Sequence, residues 1–101
     1  MEFKKGITNR GFNIIEFQDR YGTECSIQKS SLAFENAIWL GVNDANPQIM
    51  ASKVREGGTG WLPYEIPKDV VLTTRMHLTQ DQVKALLPIL TVFAETGDLP
   101  Q

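Results

Sequence analysis

The stretch Val70-Val71-Leu72-Thr73-Thr74-Arg75-Met76-His77-Leu78 runs directly into Thr79-Gln80-Asp81-Gln82 and a long apolar segment. Its nine residues are rich in β-branched and aliphatic types and contain no Gly or Pro, so the stretch is predicted to be a strand. Thr79 followed three residues later by Gln82 is a capping box, in which each side chain satisfies a backbone N–H left free at a helix start. Strand is therefore expected to pass to helix without a loop.

Downstream, the helix should run from about Gln80 to Glu95 and end at Gly97, a suitable C′ residue. Val83, Leu86, Leu87, Leu90, Phe93 and Ala94 recur with helical spacing. Ile89 and Val92 widen that stripe beyond one face, and Pro88 should kink or split the segment. A stripe this wide calls for a second apolar contact, for which another copy of the chain is the natural source.

Upstream, Phe12 to Gln18 and Thr23 to Lys29 are strand candidates joined by Asp19-Arg20-Tyr21-Gly22, which has turn chemistry. The second alternates, placing Thr23, Cys25 and Ile27 on one face and Glu24, Ser26 and Gln28 on the other. Residues 1–11 read as a lead-in or short edge strand. Ala37 to Val42 is nearly all apolar and reads as a central strand or one covered on both faces. Between Asn43 and Pro67 no strong element is evident: Gln48 to Arg55 has room for one or two helical turns, and Gly57-Gly58-Thr59-Gly60 reads as a hinge. Long loops of this kind tend to be functional or disordered, and Trp61 and Tyr64 indicate that part of it packs against something. The expected architecture is α+β, a single domain over residues 1–101 in which an antiparallel sheet (an N-terminal hairpin plus further strands) precedes a kinked or split C-terminal helix.

Composition removes several function classes. With 101 residues, 42% hydrophobic and 22% charged, the chain has the make-up of one globular domain with a modest core. A formal charge of −2 without a basic block gives little electrostatic support for binding nucleic acid. One Cys and one His exclude an internal disulfide and a multi-His metal site. No apolar run is long enough to span a membrane, and Met1-Glu2-Phe3-Lys4-Lys5 lacks the apolar core of a signal peptide, so a soluble intracellular protein is expected. Walker, GxGxxG and GxSxG motifs are absent, and the Gly57–Gly60 run lacks the following Lys-Ser/Thr of a phosphate loop.

The chemistry that remains is anion binding. Strand alternation would project Thr73, Arg75 and His77 from one face. That face reads either as plain solvated sheet or as a phosphate site, since guanidinium offers a planar fork of donors and the adjoining helix start favours negative charge. Arg20-Tyr21 at the hairpin tip is either solvent decoration or a cation beside a ring placed to meet a purine and its phosphate. Trp39 reads as core or as a stacking surface. A Cys25–His77 dyad is conceivable, but Cys25 lies on the face that alternation marks as inner, where a thiol is usually inert packing.

Several strings carry a resemblance: Gly11-Phe12, Phe17-Gln18-Asp19-Arg20-Tyr21-Gly22, Cys25-Ser26-Ile27-Gln28-Lys29-Ser30-Ser31-Leu32-Ala33, Ala37-Ile38-Trp39-Leu40-Gly41, and Arg75-Met76-His77-Leu78-Thr79 with Gln82. Together they resemble small phage and prophage proteins, in particular the anti-Thoeris "sponge" family that captures cyclic ADP-ribose isomers made by bacterial TIR-domain defence enzymes. The resemblance implies a non-enzymatic, cofactor-free protein of the host cytoplasm that assembles as dimers and higher oligomers, up to a hexamer. It implies pockets between protomers where arginines and an aromatic hold a cyclic nucleotide, without membrane or nucleic-acid partners. Arg75 and Arg20 best match those arginines, with His77, Thr73 and Tyr21 beside them and Trp39 as the ring. Some members bind cyclic oligonucleotides at a separate site. Two other functions stay open: a phage inhibitor that binds a host defence protein such as a nuclease or CRISPR effector, and nucleotide hydrolysis at an unrecognised site.

Overall fold

A computed structural model describes residues 1–101. Its organising turn is the one built on Asp19. One carboxylate oxygen, Oδ1, accepts from the N–H of Tyr21 at 2.8 Å and of Thr23 at 3.0 Å, while the Gly22 N–H donates to the Asp19 carbonyl. Gly22 takes φ +78°, a conformation that glycine adopts without steric cost. This turn joins β2 (Asn13–Gln18) to β3 (Glu24–Lys29). With β1 (Lys4–Ile7) and β4 (Ala37–Val42) these strands form an antiparallel meander. The chain then leaves for a separate two-stranded arm, β5 (Gln48–Met50) and β6 (Trp61–Pro63), linked through a 3-10 turn at Ala51–Lys53. It returns as β7 (Arg75–Thr79), which pairs with β4, giving a five-stranded sheet of order β1-β2-β3-β4-β7. The fold is α+β, with one C-terminal helix.

That helix, α1 (Gln80–Thr96), starts on the residue after β7. The Thr79 hydroxyl accepts from the Gln82 N–H at 3.2 Å, and the Gln82 amide oxygen accepts from the Thr79 N–H at 2.9 Å. Gly97 closes the helix in the left-handed conformation, its N–H bonded to the Phe93 carbonyl. Pro88 lies within the helix without splitting it.

Two expectations about elements need correction. The strand expected over residues 70–78 is formed only from Arg75 onward, because β4 ends at Val42, opposite Thr74, and offers no partner to Val70–Thr73. The segment Asn43–Pro67, expected to lack a strong element, holds the β5–β6 pair, and the helical turn expected within Gln48–Arg55 is a single 3-10 turn at Ala51–Lys53. β4 does pair on both edges, yet its residues from Ile38 to Val42 are only half-buried, so it is not covered on both faces.

Cross-strand register fixes what each side of the sheet carries, since paired residues share a face. Ile15, Ile27, Leu40 and Met76 line up across four strands on one side, flanked by Phe17, Cys25 and Val42. On the other side Ile14, Gln28, Trp39 and His77 align, beside Glu16, Ser26, Gly41 and Arg75. Neither side is sealed. Only Cys25, Ala37 and Ala51 form buried apolar core, and α1 buries no residue: Leu87, Leu90 and Phe93 are each more than half exposed.

The consequence is a large surface. The chain exposes 8673 Å², against roughly 5,700 Å² expected for a compact monomer of its mass. Its radius of gyration is 17.6 Å, where a compact chain of this length has about 13 Å. The modest core expected from composition is reduced in one copy to Cys25, Ala37 and Ala51.

Candidate functional site

Glycine at position 41 shapes the site. A Cβ built there would lie 2.8 Å from the Thr74 carbonyl oxygen and 3.5 Å from Arg75 Cγ. Arg75 therefore occupies the space that a side chain at position 41 would need, and it lies across β4 instead of standing out into solvent. The guanidinium reaches the next strand but one: Nη1 donates to the Gln28 amide oxygen at 2.9 Å, and Cζ sits 5.6 Å from the centre of the Trp39 ring. This is cation–π distance. Because the hydrogen-bond partner is a neutral amide, the positive charge of Arg75 is left uncompensated.

Trp39 is held from its other flank. It stacks on His77, its cross-strand partner, with ring centres 3.8 Å apart and planes within 9°. His77 Nε2 lies 2.9 Å from the hydroxyl of buried Ser30. Rotation of the indole is thus restricted by contacts on both sides, which makes it a rigid, pre-ordered wall.

A further wall comes from the β1–β2 turn. Thr8 and Phe12 bond through their backbones at 2.8 Å, Thr8 Oγ1 accepts from the Phe12 N–H at 3.1 Å, and Gly11 turns the chain at φ +88°. That geometry brings Arg10 over the Phe12 ring, with Cζ 6.0 Å from its centre. The resulting cleft of about 510 Å³ is lined by Thr8, Asn9, Arg10, Phe12, Gln28, Ser31, Trp39 and Arg75. It holds two guanidinium groups, two rings and no carboxylate, in a protein whose net charge is −2. Anions are favoured here by Coulomb attraction and by the many side-chain donors.

Of the residues singled out from sequence, Arg75 and Trp39 line this cleft, and His77 adjoins them only through its stack on Trp39. Thr73 does not join them: it precedes β7, is exposed, and does not line the cleft. Its neighbour Thr74, also outside the lining, is anchored to β4, donating its hydroxyl to the Val42 carbonyl at 2.7 Å. Arg20 and Tyr21 sit at the β2–β3 tip, at the opposite end of the sheet from the β1–β2 turn. Tyr21 is 85% exposed. Arg20 borders a different, larger cleft of about 650 Å³ whose lining includes Glu2, Glu16, Asp19 and Glu24 against Lys4 and Arg20. Four carboxylates and two cations make that cleft unfavourable for a phosphate despite its size. Within one chain, then, Arg20 and Arg75 do not converge.

The α1 start does not open into the cleft either: its residues are not among the lining, and the reciprocal Thr79–Gln82 bonds engage N–H groups there. Cys25 and His77 point to opposite faces, so no dyad forms. The Cys25 thiol donates to the Thr23 carbonyl at 3.4 Å, and burial, followed by the nearby Asp19 charge, pushes it above its ordinary pKa. No cluster of three or more His, Cys, Asp or Glu side chains is placed to hold a metal ion, and no helix is long and apolar enough to cross a membrane.

Sequence reading missed Arg10, Phe12, Asn9 and Gln28. The available signal was Arg10-Gly11-Phe12, a cation and a ring either side of a turn glycine. Its meaning depends on β1 pairing with β2, which carries the turn to the rim over Gln28 and Trp39. No protein-family model matches the chain, and no curated protein or solved structure does either.

Proposed function

We propose that this protein binds a cyclic nucleotide immune signal, a cyclic ADP-ribose isomer or a cyclic oligonucleotide, and sequesters it intact. In this reading it is a phage counter-defence protein of the host cytoplasm, working as a homo-oligomer. The observation that carries the reading is the carboxylate-free cleft with Arg75 and Arg10 on its walls and Trp39 held rigid between His77 and Arg75. Phosphates meet the guanidinium groups, and a purine packs against the edge of the indole, whose two faces are held by His77 and Arg75.

Magnitudes favour a site completed by a second copy. Two charge-assisted contacts contribute about 1.5–3 kcal/mol each, and one base packed against an aromatic ring at most about 1–3 kcal/mol. Their sum, roughly 4–9 kcal/mol before ordering costs, falls short of the about 12 kcal/mol that nanomolar capture requires. A cleft closed by another protomer supplies the difference by desolvating those contacts. Sequestration without cleavage is supported by the scarcity of acid–base groups: the one imidazole is stacked on Trp39 with its Nε2 at the Ser30 hydroxyl.

Trp61 and Tyr64, 62% and 52% exposed on and beside the β5–β6 arm, favour a second reading as an inhibitor that docks on a host defence protein. A thermal-shift screen with cyclic ADP-ribose isomers and cyclic di- and trinucleotides separates the two. The nucleotide reading expects a raised melting temperature for wild type, loss of the shift in Arg75→Ala and Arg10→Ala, a reduced shift in Trp39→Phe, and intact ligand after heat release. No shift with any nucleotide, or recovery of a cleaved product, would overturn it. Arg20→Ala adds a further distinction: loss of the shift there means that the hairpin tip of a neighbouring copy completes the cleft.

A further inference from the structure

We infer that Val70–Thr74, continuous with the open edge of β7, is an interstrand docking edge for the same segment of a second copy, paired antiparallel about a two-fold axis. This rests on the reading of the protein as an oligomer and names the surface that makes it one.

Three observations converge. First, propensity and conformation disagree. Val70-Val71-Leu72-Thr73-Thr74 has the composition of a strand interior, yet it belongs to no ladder, and no backbone hydrogen bond outside the regular elements involves residues 71–74. Val71 is 87% exposed and Leu72 45% exposed. Apart from the Val70 N–H, which donates to the Pro67 carbonyl at 3.0 Å, the run leaves its N–H and C=O groups free, and such a strand-forming run is a template awaiting a partner.

Second, the two edges of the sheet are treated differently. β1, at one edge, begins Lys4-Lys5, the kind of charge that blocks edge-to-edge pairing. At the other edge the run from Val70 to Thr74 carries no charge, and Arg75 turns inward to Gln28 rather than outward. Such an edge opposes no like charges when it meets itself, and an antiparallel pair of identical strands is self-complementary about a two-fold axis.

Third, the area fits. About 2,900 Å² of exposed surface beyond the compact expectation exceeds the roughly 800 Å² per partner of a standard interface and is of the size used by obligate homodimers. Met76 on β7 and the apolar stripe of α1, both exposed in one copy, are surface that such a dimer has to bury.

Cysteine scanning tests this. In a Cys25→Ala background, single cysteines are placed at each position from Val70 to Thr74, with Asp44→Cys as an exposed loop control, and dilute protein is oxidised. In an antiparallel self-pair only positions at or next to the axis bring identical residues within the about 4.4–6.8 Å Cα separation that a disulfide needs. Each step away from the axis adds about 7 Å, twice the rise per residue. The expected result is a covalent dimer for one or two adjacent positions, taking up more than half of the chains, and none elsewhere or at the control. An assembly seen by mass measurement with no position crosslinking above control would overturn this edge while leaving the oligomer reading intact. A monomer at every concentration tested would overturn both.

Discussion

Gly41→Ala adds one methyl group at the point where the sheet and the cleft depend on each other. Its φ of +148° lies in a region that L side chains avoid, and the new Cβ would sit 2.8 Å from the Thr74 carbonyl oxygen and 3.0 Å from Arg75 Cα. Both are backbone atoms, so relief requires β7 to move away from β4. The conformational term costs about 1–3 kcal/mol and the crowding another 1–3 kcal/mol or so. Together they remove a large part of the about 5–15 kcal/mol that holds a domain. Gly22→Ala is the matched control, because Gly22 has φ +78° but nothing within 4 Å of its Cβ position; it carries only a backbone term of about 1–2 kcal/mol. Urea unfolding at fixed protein concentration, followed by far-UV circular dichroism, reads both. Gly41→Ala should lower the midpoint by at least about 1 M, and Gly22→Ala by less than half as much, with unchanged slopes. It should also abolish nucleotide-induced stabilisation, since Arg75 leaves its place over Trp39. Equal midpoint losses in the two variants would refute the claim that close approach of β7 sets the position of Arg75.

Ser26 is fully buried and its hydroxyl has no hydrogen-bond partner. An unsatisfied buried hydroxyl costs about 1–3 kcal/mol, so Ser26→Ala should leave the urea midpoint unchanged or raise it, and a clear drop would contradict the account of that position. Cys25 gives a pH prediction. Its thiol is held above the ordinary 9.0 by burial first and Asp19 second, so the folded state retains a proton that the unfolded state releases. The contribution is present in full below the unfolded value and is lost as pH rises through the folded one. Between about pH 8 and pH 10 wild type should lose more stability than Cys25→Ala; parallel losses in the two would sink the assignment.

How much was legible in the sequence varies with the range of the interaction involved. The Asp19–Gly22 turn, the β2 and β3 strands and the α1 cap are set by residues within four positions of one another, and the chain places them where local chemistry predicts. β4 likewise matches its apolar run of six residues, Ala37–Val42. Val70–Thr74 fails this rule because a strand exists only where a neighbour completes its ladder, and within one chain β4 stops short. The β5–β6 arm was hidden for the related reason that its two three-residue strands are too short to show a period.

The site divides the same way. Alternation alone puts Arg75 and His77 on one face, because the side-chain period of a strand is two. The companions of Arg75 could not be read so, since Gln28 is 47 residues away and Arg10 reaches the rim only through the β1–β2 register. Nor could periodicity tell that the hairpin tip bearing Arg20 lies at the far end of the sheet from that turn. Sequence by itself determined the local elements and the alternation of their side chains, because those follow from backbone geometry and near neighbours. Tertiary structure decided which strand lies beside which, and therefore that a missing Cβ at Gly41 lets one arginine lie down over Trp39.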